Sequence, residues 1–318
     1  MRRVIELWGR KSIASPPKPK PMPQNKTELC NTMPNPLLSV NISLTNRCNY
    51  HCQFCFSRFS PHFQALPIST ARNLLQDLAN AGTEKITFVG GEPLVYPKLG
   101  QLLEYSKEVG LTSSIVTNGS LLTTSFIQRY CSSIDWVGLS LDSCYEDIEA
   151  LIGRQRHSYR IGQPGHVSRV RYLVPVLKKW GVRVKVNTVV TKLNFIEDMS
   201  NLIGELEPER WKVFQVMRVV GENDGLADPL MVNEEEFRQF VVRHEPLKPV
   251  SESGEMMRGS YVMVDPLGRF FCNDNGYHLF SRPIQEVGVH QAFSEVIFSA
   301  NKFIDRQGLY NWSVKPEV

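Results

Sequence analysis

Long apolar runs are missing from this sequence. None approaches the roughly 18 residues needed to cross a bilayer, and the N-terminus lacks the apolar core of a secretory signal. We therefore expect a soluble, cytoplasmic protein without stable membrane insertion. Neither sign of charge dominates, since 36 Lys and Arg residues face 32 Asp and Glu residues. A concentrated basic face is typical of nucleic-acid-binding domains, so this balance argues against a nucleic-acid partner.

Cysteine is also scarce, with seven residues in a chain of 318. That number is odd, and it is too small for the disulfide scaffold of a small secreted domain. A dinucleotide-binding glycine motif is absent too, because no Gly-x-Gly-x-x-Gly follows the first predicted strand. These absences exclude a disulfide-rich secreted domain and argue against a Rossmann-type dinucleotide site.

Proline is concentrated near the N-terminus, where residues 14–36 hold seven of the 20 prolines. Such a composition stays extended, so we expect residues 1–36 to form a flexible N-terminal extension and linker. Within it, Val4, Leu7 and Trp8 have helical spacing and basic neighbours. A helix of this kind can lie on an anionic surface or dock on a partner, and a frayed tail is the alternative.

From residue 37 onward, short β-branched runs alternate with longer amphipathic runs, a pattern typical of βα units around a parallel sheet. The predicted strands cover 38–44, 85–89, 113–117, 136–141, 183–190 and 211–219. The predicted helices cover 69–81, 97–109, 123–131, about 166–180 and about 195–206. Ser69 and Thr70 are candidate caps of the first helix, and Thr123 and Thr124 of the third.

Six such units are too few for a closed barrel of eight strands. We therefore predict an α/β fold, a partial (β/α)6 barrel over residues 37–220. After residue 220 a helix is predicted near 233–244, and residues 261–272 contain an Asp-Pro-Leu-Gly centre typical of a hairpin turn. We expect residues 221–318 to form a C-terminal extension that contains this hairpin and covers the substrate.

Three cysteines, Cys48, Cys52 and Cys55, stand close together in a polar loop after the first predicted strand. Barrels of this class place their chemistry in loops at the carboxyl ends of the strands. Three thiolates at this spacing bind zinc or an iron–sulfur cluster. A structural zinc site takes four ligands in pairs, and only His51 and His62 lie nearby, so a cluster with one open iron fits better. An open iron lets a substrate or cofactor bind the metal, which favours catalysis over electron storage.

The Cys-x3-Cys-x2-Cys loop, with Phe54 before its last cysteine, resembles that of the radical S-adenosylmethionine enzymes. Gly90-Gly91-Glu92-Pro93, after the second strand, is similar to the segment with which that family meets the methionine amino group of S-adenosylmethionine. A glycine pair lets backbone approach a ligand closely, and the Glu92 carboxylate can accept hydrogen bonds from an amine. The resemblance implies a [4Fe–4S] cluster on the three cysteines, with S-adenosylmethionine as the second cofactor.

Further residues match positions that this family uses around S-adenosylmethionine. They are Tyr50, Phe54, Asn118, Ser140, Asp142 and Arg154. Taken alone, Asn118-Gly119 is equally a turn, and Asp142-Ser143 is equally a helix cap. Arg154 matches a family arginine, and whether its partner is the methionine carboxylate or the substrate phosphates stays open.

The resemblance narrows to the viperin family over residues 37–318. It is carried by CNYHCQFCF, KITFVGGEP, VKVNTVV, RWKVFQV and SYVMVDPLGRFFC. It implies a lyase-type enzyme, a radical S-adenosylmethionine nucleoside triphosphate dehydratase with an antiviral role. From CTP, UTP or GTP, a 5′-deoxyadenosyl radical would remove the ribose 4′ hydrogen. Loss of the 3′ hydroxyl as water, followed by reduction, would give the 3′-deoxy-3′,4′-didehydro nucleotide.

Three lysines support a triphosphate substrate. Lys85, Lys185 and Lys212 lie in or beside predicted strands, and alternate residues of a barrel strand point into the barrel. A buried ammonium is costly unless an anion meets it, and a triphosphate is such an anion. A solvated or ion-paired lysine at a strand end is the alternative. By resemblance, Asn41 and Asn187 would also hold the nucleotide.

Tyr261 begins the predicted hairpin. It matches a viperin tyrosine that reduces the product radical, and this resemblance implies a catalytic role. The alternative is a tyrosine that only packs at an interface. The cluster would draw electrons from a flavodoxin or a ferredoxin. The chain departs from the vertebrate pattern in its short N-terminal segment, after Arg154 and after Cys272. Two rival functions are a radical enzyme acting on a peptide and a metal-cluster module that binds RNA. The first needs further C-terminal cysteines, and only Cys272 lies there.

Overall fold

The computed structural model describes residues 35–58, 62–155, 160 and 164–313. The predicted N-terminal extension, with the helical spacing at residues 4–8, lies outside the described residues except for its last two positions. Most of the loop after Arg154 lies outside them as well. Within the described ranges, every helix is too short or too polar to traverse a membrane.

Strands and helices alternate from residue 39 to residue 215. The strands are β1 (Ser39–Ser43), β2 (Lys85–Val89), β3 (Thr112–Thr117), β4 (Trp136–Ser140), β5 (Arg183–Val190) and β6 (Arg210–Gln215). The helices are α1 (Ile68–Asn80), α2 (Leu99–Glu108), α3 (Thr124–Tyr130), α4 (Glu146–Ile152), α5 (His166–Lys179) and α6 (Ser200–Leu206). The six predicted strands are thus confirmed, and the largest difference is that β6 ends at Gln215 rather than at residue 219.

The helix ends test the predicted caps. Thr123 caps α3 as expected, because its hydroxyl accepts a hydrogen bond from the Phe126 backbone N–H at 3.1 Å. The caps predicted for α1 are wrong: Pro67 precedes this helix, and Ser69 and Thr70 lie inside its first turn. The sequence analysis also missed α4, because seven residues are too short for a clear apolar period.

The chain after β6 adds the remaining elements. The strands are β7 (Val250–Glu252), β8 (Val262–Val264), β9 (Arg269–Cys272) and β10 (Leu279–Pro283). The helices are α7 (Glu234–Arg243), α8 (Gly254–Met257), α9 (Ile284–Val287), α10 (Val289–Phe293) and α11 (Ala300–Asp305). Strands β8 and β9 pair antiparallel, which confirms the hairpin predicted around the Asp-Pro-Leu-Gly turn.

One sheet contains all ten described strands, in the order β10-β9-β8-β1-β2-β3-β4-β5-β6-β7. The pairs from β8 through β1 to β7 are parallel. The C-terminal extension therefore contributes a strand to each side of the six-stranded unit, where unpaired N–H and C=O groups would otherwise remain. The domain boundaries at residues 37, 220 and 318 stay predictions.

Side chains join the two ends of this parallel run. Tyr261 directly precedes β8, and its hydroxyl lies 2.5 Å from the carboxylate of Glu252, the last residue of β7. Because β8 and β7 are the first and last strands of the parallel run, this contact requires the sheet to curve into a barrel. Alternation along β5 then gives the inner face: Val184 and Val186 are buried in the core outside the barrel, and Lys185 lies on the opposite face.

Candidate active site

The cysteine loop begins at the carboxyl end of β1, where the sequence placed it. Cys48, Cys52 and Cys55 are half-buried, and the Cys55 backbone N–H donates to the Cys52 carbonyl at 3.2 Å. The next three strands end beside this loop, so the segments that follow β2, β3 and β4 share one edge of the sheet. The carboxyl edge thus brings the predicted cofactor residues together.

The donor set suits an iron–sulfur cluster. Burial raises the pKa of the Cys48 thiol to about 11 and that of the Cys52 thiol to about 12. Such thiols lose their protons when a metal binds them. In the described part of the chain, no group of three His, Cys, Asp or Glu side chains is placed to hold a single metal ion. A cluster takes its thiolates on separate irons, so it does not require the three sulfurs to converge on one ion.

The glycine pair after β2 packs against the cysteine loop. A Cβ atom on Gly90, where φ is +138°, would lie 2.4 Å from the Thr45 carbonyl oxygen, and one on Gly91 would lie 2.2 Å from the Arg47 carbonyl oxygen. Gly91 N–H donates to Thr45 at 2.7 Å, and Glu92 N–H donates to Arg47 at 2.9 Å. We expected these glycines to let the backbone approach a ligand closely. In the structure, the atoms that they approach closely belong to the cysteine loop.

Glu92 is buried and ties β2 to β3. Its carboxylate accepts hydrogen bonds from the Thr117 hydroxyl at 2.6 Å, the Asn118 N–H at 2.8 Å and the Leu94 N–H at 3.1 Å. Burial raises the pKa of Glu92 to about 6 despite these bonds. Pro93 continues the segment as a single helical turn that Glu92 caps. Contact of Glu92 with an amine stays a prediction.

Asn118 reaches from the end of β3 to the cysteine loop. Its side-chain NH2 donates to the Asn49 side-chain oxygen at 3.0 Å and lies 3.9 Å from the Cys48 sulfur. Its own side-chain oxygen accepts from Ser120 at 2.6 Å. Asn118 therefore holds the loop beside one of the cysteines, which is a structural task in addition to any contact with a cofactor.

Arg154 is clamped between two buried carboxylates. Its Nε lies 2.5 Å from Asp142 Oδ2 and 3.6 Å from Glu149 Oε2. Its guanidinium lies 5.5 Å from the centre of the Phe54 ring. Burial raises the pKa of both acids, most strongly that of Glu149, while the Arg154 charge opposes the shift. The sequence analysis missed Glu149, which lies on the missed helix α4.

His166 joins the cysteine loop to the end of β4. Its Nε2 lies 2.6 Å from the Ser140 carbonyl oxygen, so Nε2 carries the proton and donates. Its Nδ1 lies 3.4 Å from the Tyr50 hydroxyl. Burial, with the nearby Arg154 charge, lowers the pKa of His166 to about 3. No sequence motif marked this histidine, which opens α5.

The interior of the barrel carries a group of basic side chains that we call the basic lumen. Its members are Lys85, Lys185, Lys212, Arg210 and Arg306. All three lysines are largely buried, and their contact with a substrate stays a prediction. Burial and the neighbouring cations lower the pKa of Lys85 to about 7, that of Lys212 to about 8 and that of Lys185 well below its usual range.

Glu252 is the one carboxylate among the described residues that forms an ion pair with the basic lumen. It lies 2.6 Å from Lys212 Nζ and 3.9 Å from Arg306. The Tyr261 hydroxyl also contacts Lys212 Nζ, at 2.8 Å. The sequence analysis predicted Lys212 and Tyr261 but missed Glu252 and Arg306, whose partners are far away in the sequence.

Residues 310–312 pack beneath the lumen, at the amino ends of the strands. Tyr310 bonds to Lys185 Nζ, and its ring centre lies 4.3 Å from the Arg210 guanidinium. The Trp312 carbonyl accepts from the Trp136 indole N–H at 3.1 Å and from Arg183. No local pattern in the sequence predicts these contacts.

Two asparagines lie between the predicted cofactor residues at the carboxyl edge and the cations of the basic lumen. Asn41 lies in β1 and is paired in register with Thr87 of β2, while Asn187 lies two residues beyond Lys185 on the same face of β5. The Asn187 side-chain oxygen is buried and has no hydrogen-bond partner among the described residues. A buried acceptor oxygen of this kind requires a hydrogen-bond donor, and no described residue supplies one to Asn187.

Comparisons with known proteins agree with this arrangement. Residues 42–204 match the Radical SAM superfamily. The S-adenosylmethionine-dependent nucleotide dehydratase of Flammeovirga pacifica is 41% identical, covering 87% of this chain and 97% of that protein. The S-adenosylmethionine-dependent nucleotide dehydratase RSAD2 of Danio rerio is 38% identical, covering 86% of this chain and 78% of that protein.

Solved structures share the fold. Native anSMEcpe with bound AdoMet and Kp18Cys peptide has a TM-score of 0.62 at 17% identity and covers 84% of this chain and 82% of that chain. Streptococcus suis SuiB bound to S-adenosylmethionine has a TM-score of 0.54 at 17% identity, with 73% and 59% covered. These identities show the fold alone. The family match and the relatives establish that the chain belongs to the Radical SAM superfamily and, within it, to the S-adenosylmethionine-dependent nucleotide dehydratase family.

Proposed function

We propose that this chain dehydrates a nucleoside triphosphate, CTP, UTP or GTP, to its 3′-deoxy-3′,4′-didehydro analogue. The observation that carries the proposal is the basic lumen, in which five buried or half-buried cations have one ion-pairing carboxylate among the described residues, that of Glu252, which pairs with Lys212 and Arg306. Buried cations that lower one another's pKa are stabilised by a multivalent anion. The names of the relatives, which are nucleotide dehydratases, support a nucleotide as that anion.

The carboxyl edge would hold the two cofactors of the superfamily. Cys48, Cys52 and Cys55 would bind the [4Fe–4S] cluster, whose fourth iron would bind S-adenosylmethionine. When bound, these groups supply the carbon radical that removes a hydrogen atom from the substrate. The residues that contact the cysteine loop, from Tyr50 to Arg154, would keep the cofactors in place.

Arg154 belongs to the cofactor end in this proposal. Its guanidinium contacts Asp142 and the Phe54 ring, and neither of these contacts joins it to the basic lumen. A carboxylate ligand suits an arginine, because the guanidinium can donate two parallel hydrogen bonds. This placement favours the methionine carboxylate over the triphosphate as its partner.

The basic lumen would hold the phosphates, and the asparagines would hold the ribose. Lys85, Lys185 and Lys212 would donate to phosphate oxygens, together with Arg210 and Arg306. The unpartnered side-chain oxygen of Asn187 would accept a ribose hydroxyl. Fixing the triphosphate at one end of the barrel and the radical source at the other would direct the radical to one ribose carbon.

Tyr261 would supply the electron that completes the product, since a phenol buried beside the lumen can be oxidised there. A one-electron carrier protein, a flavodoxin or a ferredoxin, would reduce the cluster. We place the reaction in the cytoplasm, where nucleoside triphosphates are abundant and thiols stay reduced. An antiviral role for the product follows from the family resemblance.

Anaerobic incubation of the reconstituted enzyme with each nucleoside triphosphate tests the proposal. We expect 5′-deoxyadenosine to form with at least one triphosphate, together with a product lighter than the substrate by one water. The corresponding nucleoside, which lacks phosphates, serves as the control and should give neither. If no triphosphate raises 5′-deoxyadenosine above background, the nucleotide proposal is wrong.

A further inference from the structure

The hydroxyl hydrogen of Tyr261 has a defined direction. The hydroxyl oxygen lies 2.8 Å from Lys212 Nζ and 2.5 Å from Glu252 Oε2. An ammonium only donates hydrogen bonds, so the tyrosine accepts from Lys212 and gives its own hydrogen to Glu252. The O–H bond therefore points toward the carboxylate. Before this hydrogen could move directly to a sugar carbon, the hydrogen bond from Tyr261 to Glu252 would have to break.

The electron balance of the dehydration requires no such transfer. After the 4′ hydrogen atom is removed, the C3′–O bond breaks with its electron pair on the departing hydroxide, which takes one proton and leaves as water. The sugar that remains is a radical cation over C3′ and C4′. One electron completes the C3′=C4′ double bond, and no hydrogen has to be added to carbon.

We infer that Glu252 is the proton acceptor for the oxidation of Tyr261, an inference that rests on the proposed dehydration. As the sugar takes one electron from the phenol, the phenolic proton passes to Glu252 Oε2, and a neutral tyrosyl radical remains. Summed over the step, the C4′ radical, tyrosine, the Glu252 carboxylate and one proton from solvent, which the departing hydroxide takes, give the didehydro nucleotide, water, the tyrosyl radical and protonated Glu252. One electron from the carrier protein and the proton returned by Glu252 then restore the tyrosine.

The surroundings of the pair suit this role. Burial would raise the pKa of Glu252, but the charges of Lys212 and Arg306 outweigh it and lower the pKa below its usual value. Burial raises the pKa of Tyr261 well above its usual range. The proton therefore stays on the tyrosine until an electron leaves, after which the oxidised phenol becomes a strong acid and the nearby carboxylate takes the proton.

Tyr310 makes a useful contrast within the same cavity. Its hydroxyl contacts the ammonium of Lys185, which carries no acceptor for a further proton. Its ring also lies beside the Arg210 guanidinium. Loss of an electron from Tyr310 would leave a positive charge among cations, so Tyr261 is the phenol that can be oxidised at low cost.

The test compares Glu252→Gln with the wild-type enzyme by the ratio of product to 5′-deoxyadenosine. We expect Glu252→Gln to bind the triphosphate within about threefold and to form 5′-deoxyadenosine, while the ratio falls by about 100-fold, the usual size of a lost acid–base contribution. Glu252→Asp should recover part of the ratio. Glu205→Gln, which changes an exposed carboxylate paired with Arg171, is the matched control and should retain the wild-type ratio.

Two further measurements separate this role from a purely structural one. Tyr310→Phe should keep the wild-type ratio of product to 5′-deoxyadenosine, whatever its turnover rate. Tyr261→Phe should lower that ratio. The double variant Tyr261→Phe with Glu252→Gln should lower it no further, because both changes act on one step. Product formed in D2O should carry no solvent deuterium on carbon. Equilibrium dialysis of the triphosphate with each purified variant measures binding independently of turnover.

The outcomes are distinct. A wild-type ratio in Glu252→Gln, or solvent deuterium on a product carbon, would overturn the role of Glu252 and leave the dehydration itself standing. Absence of 5′-deoxyadenosine from the wild-type enzyme with every triphosphate would instead remove the proposed function and this inference with it. If Glu252→Gln fails to bind the triphosphate, Glu252→Asp decides: a normal affinity with a lowered ratio supports the inference, and a normal ratio despite the displaced carboxylate contradicts it.

Discussion

The two ends of the barrel treat buried charge in opposite ways. At the carboxyl end, the Arg154 guanidinium meets two buried carboxylates, and Glu92 accepts three hydrogen bonds. In the basic lumen, Glu252 pairs with Lys212 and Arg306, and the other three cations have no carboxylate partner among the described residues. The Arg154 charge is therefore balanced by protein carboxylates before any ligand arrives, whereas the lumen contains cations that an anionic ligand would stabilise.

This difference has a physical consequence for mutation. Removing one partner of a satisfied buried ion pair leaves an uncompensated charge and destabilises the fold. Removing one of several mutually repelling buried cations relieves repulsion and costs the fold little, but it weakens the binding of the anion. Stability and ligand binding should thus respond in opposite directions at the two ends.

The largest effect is expected from Cys52→Ala, which removes one of the three proposed cluster ligands. We expect iron and sulfide per chain to fall to background and 5′-deoxyadenosine formation to drop by about 1,000-fold or more, because the proposed radical source would lose one of its protein ligands. Cys131→Ala is the control, since this thiol bonds to the Gln128 carbonyl at 3.4 Å. Cluster content equal to that of the wild type in Cys52→Ala would contradict the assignment.

Arg154→Met tests the satisfied end directly. It leaves Asp142 and Glu149 buried without their cation, and we expect a loss of about 3–5 kcal/mol in the free energy of unfolding at neutral pH. Urea denaturation of the cluster-free protein measures it. The loss should shrink as the pH falls, because protonation of the two acids removes the uncompensated charge.

The control for Arg154→Met is Arg171→Met, which breaks an exposed pair with Glu205 at 3.1 Å. It should cost about 0–1 kcal/mol. If the two substitutions have equal effects on unfolding, the Arg154 cluster is not the preformed scaffold that the contacts indicate.

Lys185→Met tests the lumen. The ammonium of Lys185 is buried among like charges, so an apolar side chain of similar length should raise the free energy of unfolding by about 1 kcal/mol. The triphosphate should bind about 10–100-fold more weakly, as expected for one lost charge-assisted hydrogen bond. Lys192→Met, which breaks a pair with Glu236 at the surface, should change neither by a comparable amount. A strongly destabilised Lys185→Met would show that the lumen is satisfied without an anion.

Much of the fold and half of the site follow from local sequence patterns. The strands could be predicted because β-branched runs and glycine stops are local signals, and the lysines because strand residues alternate between two faces. The cysteine loop could be predicted because its ligands lie within eight residues of each other. These features need no knowledge of how distant segments pack.

The rest depends on distant contacts. Glu252, Arg306 and Tyr310 reach the lumen from the C-terminal extension. Glu252 ends a strand of only three residues, and Arg306 and Tyr310 lie outside the helices and strands, so no period reveals them. The glycine pair shows a different limit: its motif was visible, but its close neighbour is the cysteine loop, which only the folded chain reveals. Composition could not have distinguished these two roles of Gly90 and Gly91.

The smallest expected effect is a pH dependence of triphosphate binding to the lumen. Burial lowers the pKa of Lys85 to about 7 and that of Lys212 to about 8 in the protein without ligand. In the proposed complex the triphosphate binds the protonated lysines, so binding would require proton uptake once the pH exceeds these values. Affinity should therefore be highest below pH 7 and fall by about tenfold or more between pH 7 and pH 9.

Calorimetric titrations in buffers of different ionisation enthalpy measure the proton uptake that accompanies this change. Lys212→Met should weaken binding at pH 7 and also make the decline toward pH 9 shallower, because one of the titrating groups has been removed. Arg210 and Arg306 stay charged throughout this range, so they preserve part of the affinity. An affinity that is constant from pH 7 to pH 9 would mean that the lumen lysines remain protonated without an anion, and the contrast between the two ends of the barrel would then lose its electrostatic basis.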